Sequence, residues 1–172
     1  MTSVQAGGIR IDLVGMLGRA RCPVQIDIGY GDVVTPAPEL VRFPTILDGS
    51  PIPIIKAYPR ETVIAEKLEA IVSLGMANSR MKDFYDLNVL IHDLSDDQML
   101  IATAIRRTFE RRGTPITSYL PVGLSDEFAQ ERTKEIQWKA FLEKSKLEAP
   151  SLFSVVQTLR RFWQDIINRI SE

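Results

Sequence analysis

The chain has 172 residues, 45% of them apolar and 25% charged, which is the balance of a folded globular protein and excludes wholesale disorder. Lys and Arg total 21 against 22 acidic residues, and a net charge of -1 excludes the global basic field of a non-specific nucleic-acid binder. One cysteine (Cys22) and one histidine (His92) exclude an internal disulfide, a cysteine-based zinc site and a two-histidine metal centre, so chemistry must rest on carboxylates, Lys, Arg and hydroxyls. No apolar run approaches the roughly 20 residues of a membrane helix. Met1-Thr2-Ser3-Val4-Gln5 lacks the basic and apolar regions of a signal peptide, and a cytoplasmic chain is expected.

Seven of the ten prolines and seven of the ten glycines precede Arg60, so a strand-and-turn segment over 1–58 and a helical region over 59–172 are expected, an α+β arrangement. Ile9-Arg10-Ile11-Asp12-Leu13-Val14 alternates as a half-buried strand does, and so does Val24-Gln25-Ile26-Asp27-Ile28; a turn around Gly18 makes them a hairpin. Short strands are expected at Val41-Arg42-Phe43 and Ile52-Pro53-Ile54-Ile55-Lys56, where proline favours an edge. Pro59 opens a helix that ends before Gly75. Further helices are expected over about Lys82–Asp93, from Ser95 (paired with Gln98 as a capping box) to before Gly113, over about Asp126–Lys146, and over about Leu152–Ile170. The last carries an apolar stripe of Leu152, Val155, Val156, Leu159, Phe162, Ile166 and Ile170.

Two helices break their own pattern. At 100° per residue, Val63, Ile64, Leu68, Ile71 and Leu74 form an apolar arc, and Lys67 lies inside it. In the next helix Phe84, Leu87, Leu90, Ile91 and Leu94 form the arc, with Asp83 in its middle and Asp86 at its edge. The loop between them holds Asn78 and Arg80. An inward charge is costly unless it is paired or lines a cavity. Two readings stand: a Lys67–Asp83 ion pair that fixes helix register, with Asp83 alternatively a simple helix cap, or a polar cleft where Lys67 meets an anion such as a phosphate.

Asp27 shares its strand face with Gln25 and is followed by Gly29 and Gly31, which let a ligand or a backbone come close; the alternative is a solvated strand face. Arg106, Arg107, Arg111 and Arg112 form a basic cluster, most of it opposite Ile101, Ile105 and Phe109, so a solvated helix face is favoured over RNA contact. His92 reads as a helix-surface residue, and Trp138 and Trp163, at helical spacing with Phe141 and Phe162, read as core.

Val24–Asp32 (VQIDIGYGD), Tyr58–Ala70 (YPRETVIAEKLEA) and Asn78–Leu87 (NSRMKDFYDL), in that order, resemble the AbiEii/AbiGii-type nucleotidyltransferase toxin family, as does Ala104–Phe109. The resemblance covers nearly the whole chain. It implies a polymerase-β-like nucleotidyltransferase sheet segment followed by a helical bundle, with Mg²⁺ and an NTP used to transfer a nucleotidyl group to an acceptor such as tRNA, and an antitoxin as partner. By the same resemblance Lys67 and Asp83 take catalytic positions, Arg80, Lys82 and Asp86 belong to the nucleotide-binding motif, and Asp27 stands where a metal-site carboxylate is expected.

The sequence departs from the family pattern in one respect. A Gly-Ser or Gly-Gly turn leading into an Asp-x-Asp strand should precede these motifs, yet no two acidic residues here are spaced i, i+2. The chain therefore reads as the C-terminal part of such an enzyme, unable to bind two metals and inactive alone, with Mg²⁺ and NTP expected of the full-length family. The alternative is a non-catalytic helical module that recognises an antitoxin or RNA.

Overall fold

The structure is a computed structural model that describes residues 7–92 and 98–171. It divides into two compact units, one ending at Val33 and the other beginning at Val34.

The first unit is a hairpin. Strands β1 (Gly7–Leu17) and β2 (Ala20–Tyr30) pair antiparallel in unbroken register. Both outrun the alternating segments, because Gly18, at a φ of 59°, supplies the left-handed conformation that a two-residue loop needs. Register then sorts the side chains. Ile9, Ile11 and Leu13 stand opposite Ile28, Ile26 and Val24 on one face, while Arg10 and Asp12 stand opposite Asp27 and Gln25 on the other.

The second unit is helical apart from one short antiparallel pair, β3 (Glu39–Arg42) with β4 (Ile54–Ala57). Its helices are α1 (Arg60–Leu74), α2 (Met81–His92), α3 (Gln98–Arg112), α4 (Asp126–Gln130), α5 (Arg132–Ser145) and α6 (Leu152–Ser171), so the chain is α+β as expected. Pro59 is the N-cap of α1 and Gly75 its C-cap, the glycine donating its N–H to the Ile71 carbonyl at a φ of 49°. The expected start of α3 at Ser95 lies outside the described residues.

Helix α1 packs against both α2 and α3. Its buried face is therefore wider than one arc: Ile64, Leu68 and Ile71 are buried as expected, and so are Thr62 and Glu69, whereas Leu74 at the helix end is exposed. Helix α6 supplies the other core wall through Leu152, Val155, Val156, Leu159, Trp163 and Ile166; Phe162 and Ile170 are partly buried at its margin. Trp138 and Trp163 are core residues, and His92 is exposed.

The single helix expected over Asp126–Lys146 is two. Glu131 adopts an extended conformation, and its carboxylate accepts hydrogen bonds from the Thr133 and Lys134 N–H groups at 2.9 Å each, so it caps a new helix instead of continuing the old one. The Thr133 N–H does most to hold the Glu131 carboxyl below its usual range, overcoming the cost of desolvation.

Candidate functional site

Lys67 follows Ile64 by three residues and precedes Leu68 and Ile71, so its stem leaves α1 beside the core. Asp83 and Asp86 lie three residues apart on the facing side of α2. Lys67 Nζ donates to Asp83 Oδ1 at 2.7 Å and lies 2.7 Å from Asp86 Oδ2. Lys82 Nζ reaches the same Asp86 oxygen at 2.5 Å, and Arg80 Nε lies 3.2 Å from Asp83 Oδ2. The Lys67 and Asp83 side chains are 19% and 9% exposed, but Arg80 and Lys82 are 62% and 70% exposed. The inner pair is thus desolvated, and the outer cations form a rim that water screens.

Burial alone would lower the Lys67 pKa, but hydrogen bonds and charge from Asp83 and Asp86 outweigh it and raise the pKa above the usual lysine value. At Asp86 desolvation pushes upward, and the hydrogen bonds from Lys67 and Lys82 win, lowering the carboxyl. Both groups therefore carry charge throughout the neutral range.

The start of α2 is held from below. Asn78 is fully buried; its Oδ1 accepts from the Arg80 N–H at 2.8 Å, and its amide reaches the Ala70 carbonyl. Lys134 of α5, 7% exposed, donates from Nζ to the Asn78 carbonyl at 2.8 Å and sits 5.3 Å over the Phe128 ring. Nothing in the periodicity of α5 singles out Lys134.

A polar cavity of about 160 Å³ opens beside Lys67, lined also by Glu66, Arg80, Asp83 and Arg112. Arg80 and Asp83 also line a wider groove of about 560 Å³ that runs from the start of α2 to Gln137, Phe141 and Lys144 of α5. Arg106 and Arg107 are exposed on α3, as a solvated face requires. Arg112 is not part of that face. It follows Ile105 by seven residues and Phe109 by three, on the buried stripe, a signal obscured by counting it with its basic neighbours.

The structure brings together Lys67, Arg80, Lys82, Asp83 and Asp86. Asp27 belongs to the hairpin unit, where Arg10 stands directly across the ladder. Arg10 donates to it from Nε at 2.7 Å and from Nη2 at 3.2 Å, and Gln25 donates at 3.0 Å. The Arg10 hydrogen bond does most to lower the Asp27 carboxyl, with Gln25 second. Among the described residues no group of three or more His, Cys, Asp or Glu side chains converges as a metal site. Mg²⁺ demands a near-octahedral oxygen shell, and one carboxylate already engaged by a guanidinium does not fit that demand.

The family profile described as "Nucleotidyl transferase AbiEii toxin, Type IV TA system" matches residues 2–167. The chain belongs to the AbiEii nucleotidyl transferase toxin family. Among curated proteins, none matches it. Membership makes the chain a toxin-type member of a type IV toxin–antitoxin system, which implies an antitoxin. The α+β arrangement of strand pairs followed by helices is consistent with an AbiEii nucleotidyltransferase-like fold. No helix among the described residues is long and apolar enough to cross a membrane.

Proposed function

We propose that Lys67, Asp83 and their charged neighbours form the phosphate-handling cleft of nucleotidyl transfer, in which the NMP of an NTP passes to an acceptor hydroxyl such as that of a tRNA 3′ end. The supporting observation is an ammonium shared at 2.7 Å by two carboxylates of α2 at the edge of a polar cavity. An ammonium carries three N–H donors, and two are directed at Asp83 and Asp86. The third serves a non-bridging phosphate oxygen, where negative charge must be stabilised as the acceptor O–P bond forms and the bond to pyrophosphate breaks. Asp83 and Asp86 are positioning residues that keep the ammonium charged and aimed. Arg80 and Lys82, on the rim, draw the triphosphate in.

The carboxylate expected at Asp27 to hold a metal is engaged by Arg10 and Gln25, so no Mg²⁺ site is proposed for the hairpin. Mg²⁺ in such enzymes supplies activation of the attacking hydroxyl and neutralisation of the leaving pyrophosphate. The described residues do not assemble that site, so the chain by itself is proposed to be inactive in transfer. The test has two readings. With Mg²⁺, labelled NTPs and tRNA, the chain should incorporate no label, and robust incorporation overturns the proposed inactivity. NTP binding measured directly should be lost in Lys67→Met, and unchanged binding overturns the cleft assignment.

A further inference from the structure

The hairpin sorts its side chains unequally. From Ile9–Ile28 at its open end to Leu17–Ala20 beside the turn, every cross-strand pair on one face is apolar except for the thiol of Cys22, which stands across from Gly15. The other face carries Arg10, Asp12, Gln25 and Asp27, with Arg10 and Gln25 bonded to the Asp27 carboxylate. That face has polar partners of its own and suits water. The apolar face is bare: its large aliphatic side chains are 37% exposed at Ile11 and more so elsewhere, up to 83% at Leu17.

Two 11-residue strands joined by a tight turn are marginal in water unless one face is covered. With an aliphatic row on each strand, this face offers roughly 700–800 Å² of apolar surface. That exceeds the roughly 300–600 Å² of the largest patch on a typical monomer and comes close to the about 800 Å² that each partner of a standard interface buries.

We infer that this face is the interface of a homodimer, in which the hairpins of two copies pack face to face about a two-fold axis. A partner that brought an acidic or basic side chain to this face would bury it with nothing to bond, whereas a second copy brings only aliphatic groups and one thiol. Ile, Leu and Val recur along both strands, so each copy presents to the other the surface it receives, as a two-fold axis requires. Two such sheets stack about 10 Å apart with their side chains interdigitated, which turns two marginal hairpins into one four-stranded sandwich with a core. At roughly 1,500 Å² for the two copies together, the contact reaches the size of a stable interface without help from any other part of the chain. The inference is independent of the reading of the cleft around Lys67.

The experiment measures the mass of the full chain by analytical ultracentrifugation over two decades of concentration, under reducing conditions. Cys22 is the single cysteine and lies on the proposed contact, so its rate of reaction with a maleimide reads coverage of the face directly. Wild type should reach the dimer mass as concentration rises, and Cys22 should become protected in step. Ile26→Glu puts a charge near the middle of the face, and association should weaken by about a hundredfold or more, with Cys22 reacting freely. Ile26→Thr keeps a β-branched strand former and loses aliphatic surface, so it should weaken association less. Val14→Glu adds the same charge to the opposite face and should leave the dimer and the protection of Cys22 unchanged. Far-UV circular dichroism checks that the helices are intact in each variant.

Wild type that stays monomeric at every concentration overturns the inference. Cys22 reactive throughout would then mean that the face is bare or takes a different protein, and Cys22 protected throughout would mean that the same chain covers it. A dimer unchanged in both Ile26→Glu and Ile26→Thr places the contact elsewhere and overturns it as well.

Discussion

Replacing Lys134 by Met tests whether a buried ammonium that donates to a backbone carbonyl stabilises the start of α2. Met has nearly the same length and no charge. The substitution removes the donor to the Asn78 carbonyl and the contact 5.3 Å over Phe128. Leaving a buried carbonyl without its donor costs about 1–3 kcal/mol. The lost cation–π contact, in a desolvated position, costs about 1–2 kcal/mol more. In the other direction, Met avoids the desolvation penalty of a buried ion, which amounts to several kcal/mol and makes many such replacements neutral or stabilising. The geometry decides between them. The ammonium has a charge-assisted bond at 2.8 Å and an aromatic face, and Phe128 is itself stacked on Phe84 of α2 at 5.1 Å. The balance should be a net loss of about 2 kcal/mol, or a fall in Tm of about 4–8 °C for a chain of this size. Thermal melting followed by circular dichroism, with urea unfolding as a second measure, reads it. Lys134→Ala should lose more, because it also leaves a cavity. A Lys134→Met variant as stable as wild type, or more so, would falsify the reasoning, since desolvation would then outweigh both contacts.

Two other outcomes are expected. Gly123→Ala places a Cβ 2.5 Å from the Ile71 carbonyl oxygen, the acceptor of the Gly75 N–H that ends α1, so the 3₁₀ turn Val122–Leu124 must move away. The cost should be about 1–3 kcal/mol, and a Tm equal to wild type would refute the close packing. The Lys67–Asp86 pair gives a pH signature. The Asp86 pKa is lowered, so its contribution is present above the unfolded value of about 3.9 and is lost as pH falls through the lower folded value. The Lys67 pKa is raised, so its contribution is present below about 10.4 and is lost as pH rises through the higher folded value. The Tm gap between wild type and Asp86→Asn should be constant from pH 5 to about 9 and close on acidification toward pH 3. A gap that persists unchanged at pH 3 would show that the carboxylate charge contributes nothing.

The legible parts of the molecule are those where local pattern and tertiary packing agree. Period-2 alternation placed Ile9, Ile11 and Leu13 on one hairpin face, and register kept them there, but that face is exposed where a half-buried one was expected. The inward Lys67 and Asp83 were legible as charges violating apolar arcs, and the structure pairs them. The break at Glu131 was not legible. Asp126–Lys146 contains no proline or glycine, and only a side-chain cap on the next two N–H groups stops the helix. Leu74 was misplaced because a helix end can project beyond its neighbours whatever its position on the wheel. Glu69 and Lys134 were invisible for a related reason. A buried charge on a polar position leaves no periodic trace, and its acceptor or donor comes from residues 43, 45 or 56 positions away.

These long-range polar bonds share a geometry that bears on how the cleft works. Lys67 joins α1 to α2, Glu69 joins α1 to Arg112 at the end of α3, and Lys134 joins α5 to the loop that opens α2. Each of these seams is thus crossed by a charge that finds its partner on another element, where an apolar contact would serve packing equally well. Apolar contacts tolerate sliding by part of a turn, because any methyl group can replace another. A hydrogen-bonded ion does not, since a shift of about one residue leaves a buried charge with nothing to bond. The three bonds therefore hold the relative register of the helices that carry Lys67, Asp83 and Arg112. Register is the property the proposed phosphate-handling role would need most, because contact distances set to within about half an ångström decide whether preorganised donors help a reaction. A near-neutral total charge conceals this arrangement: opposite charges balance in the count while being sorted in space around one cavity.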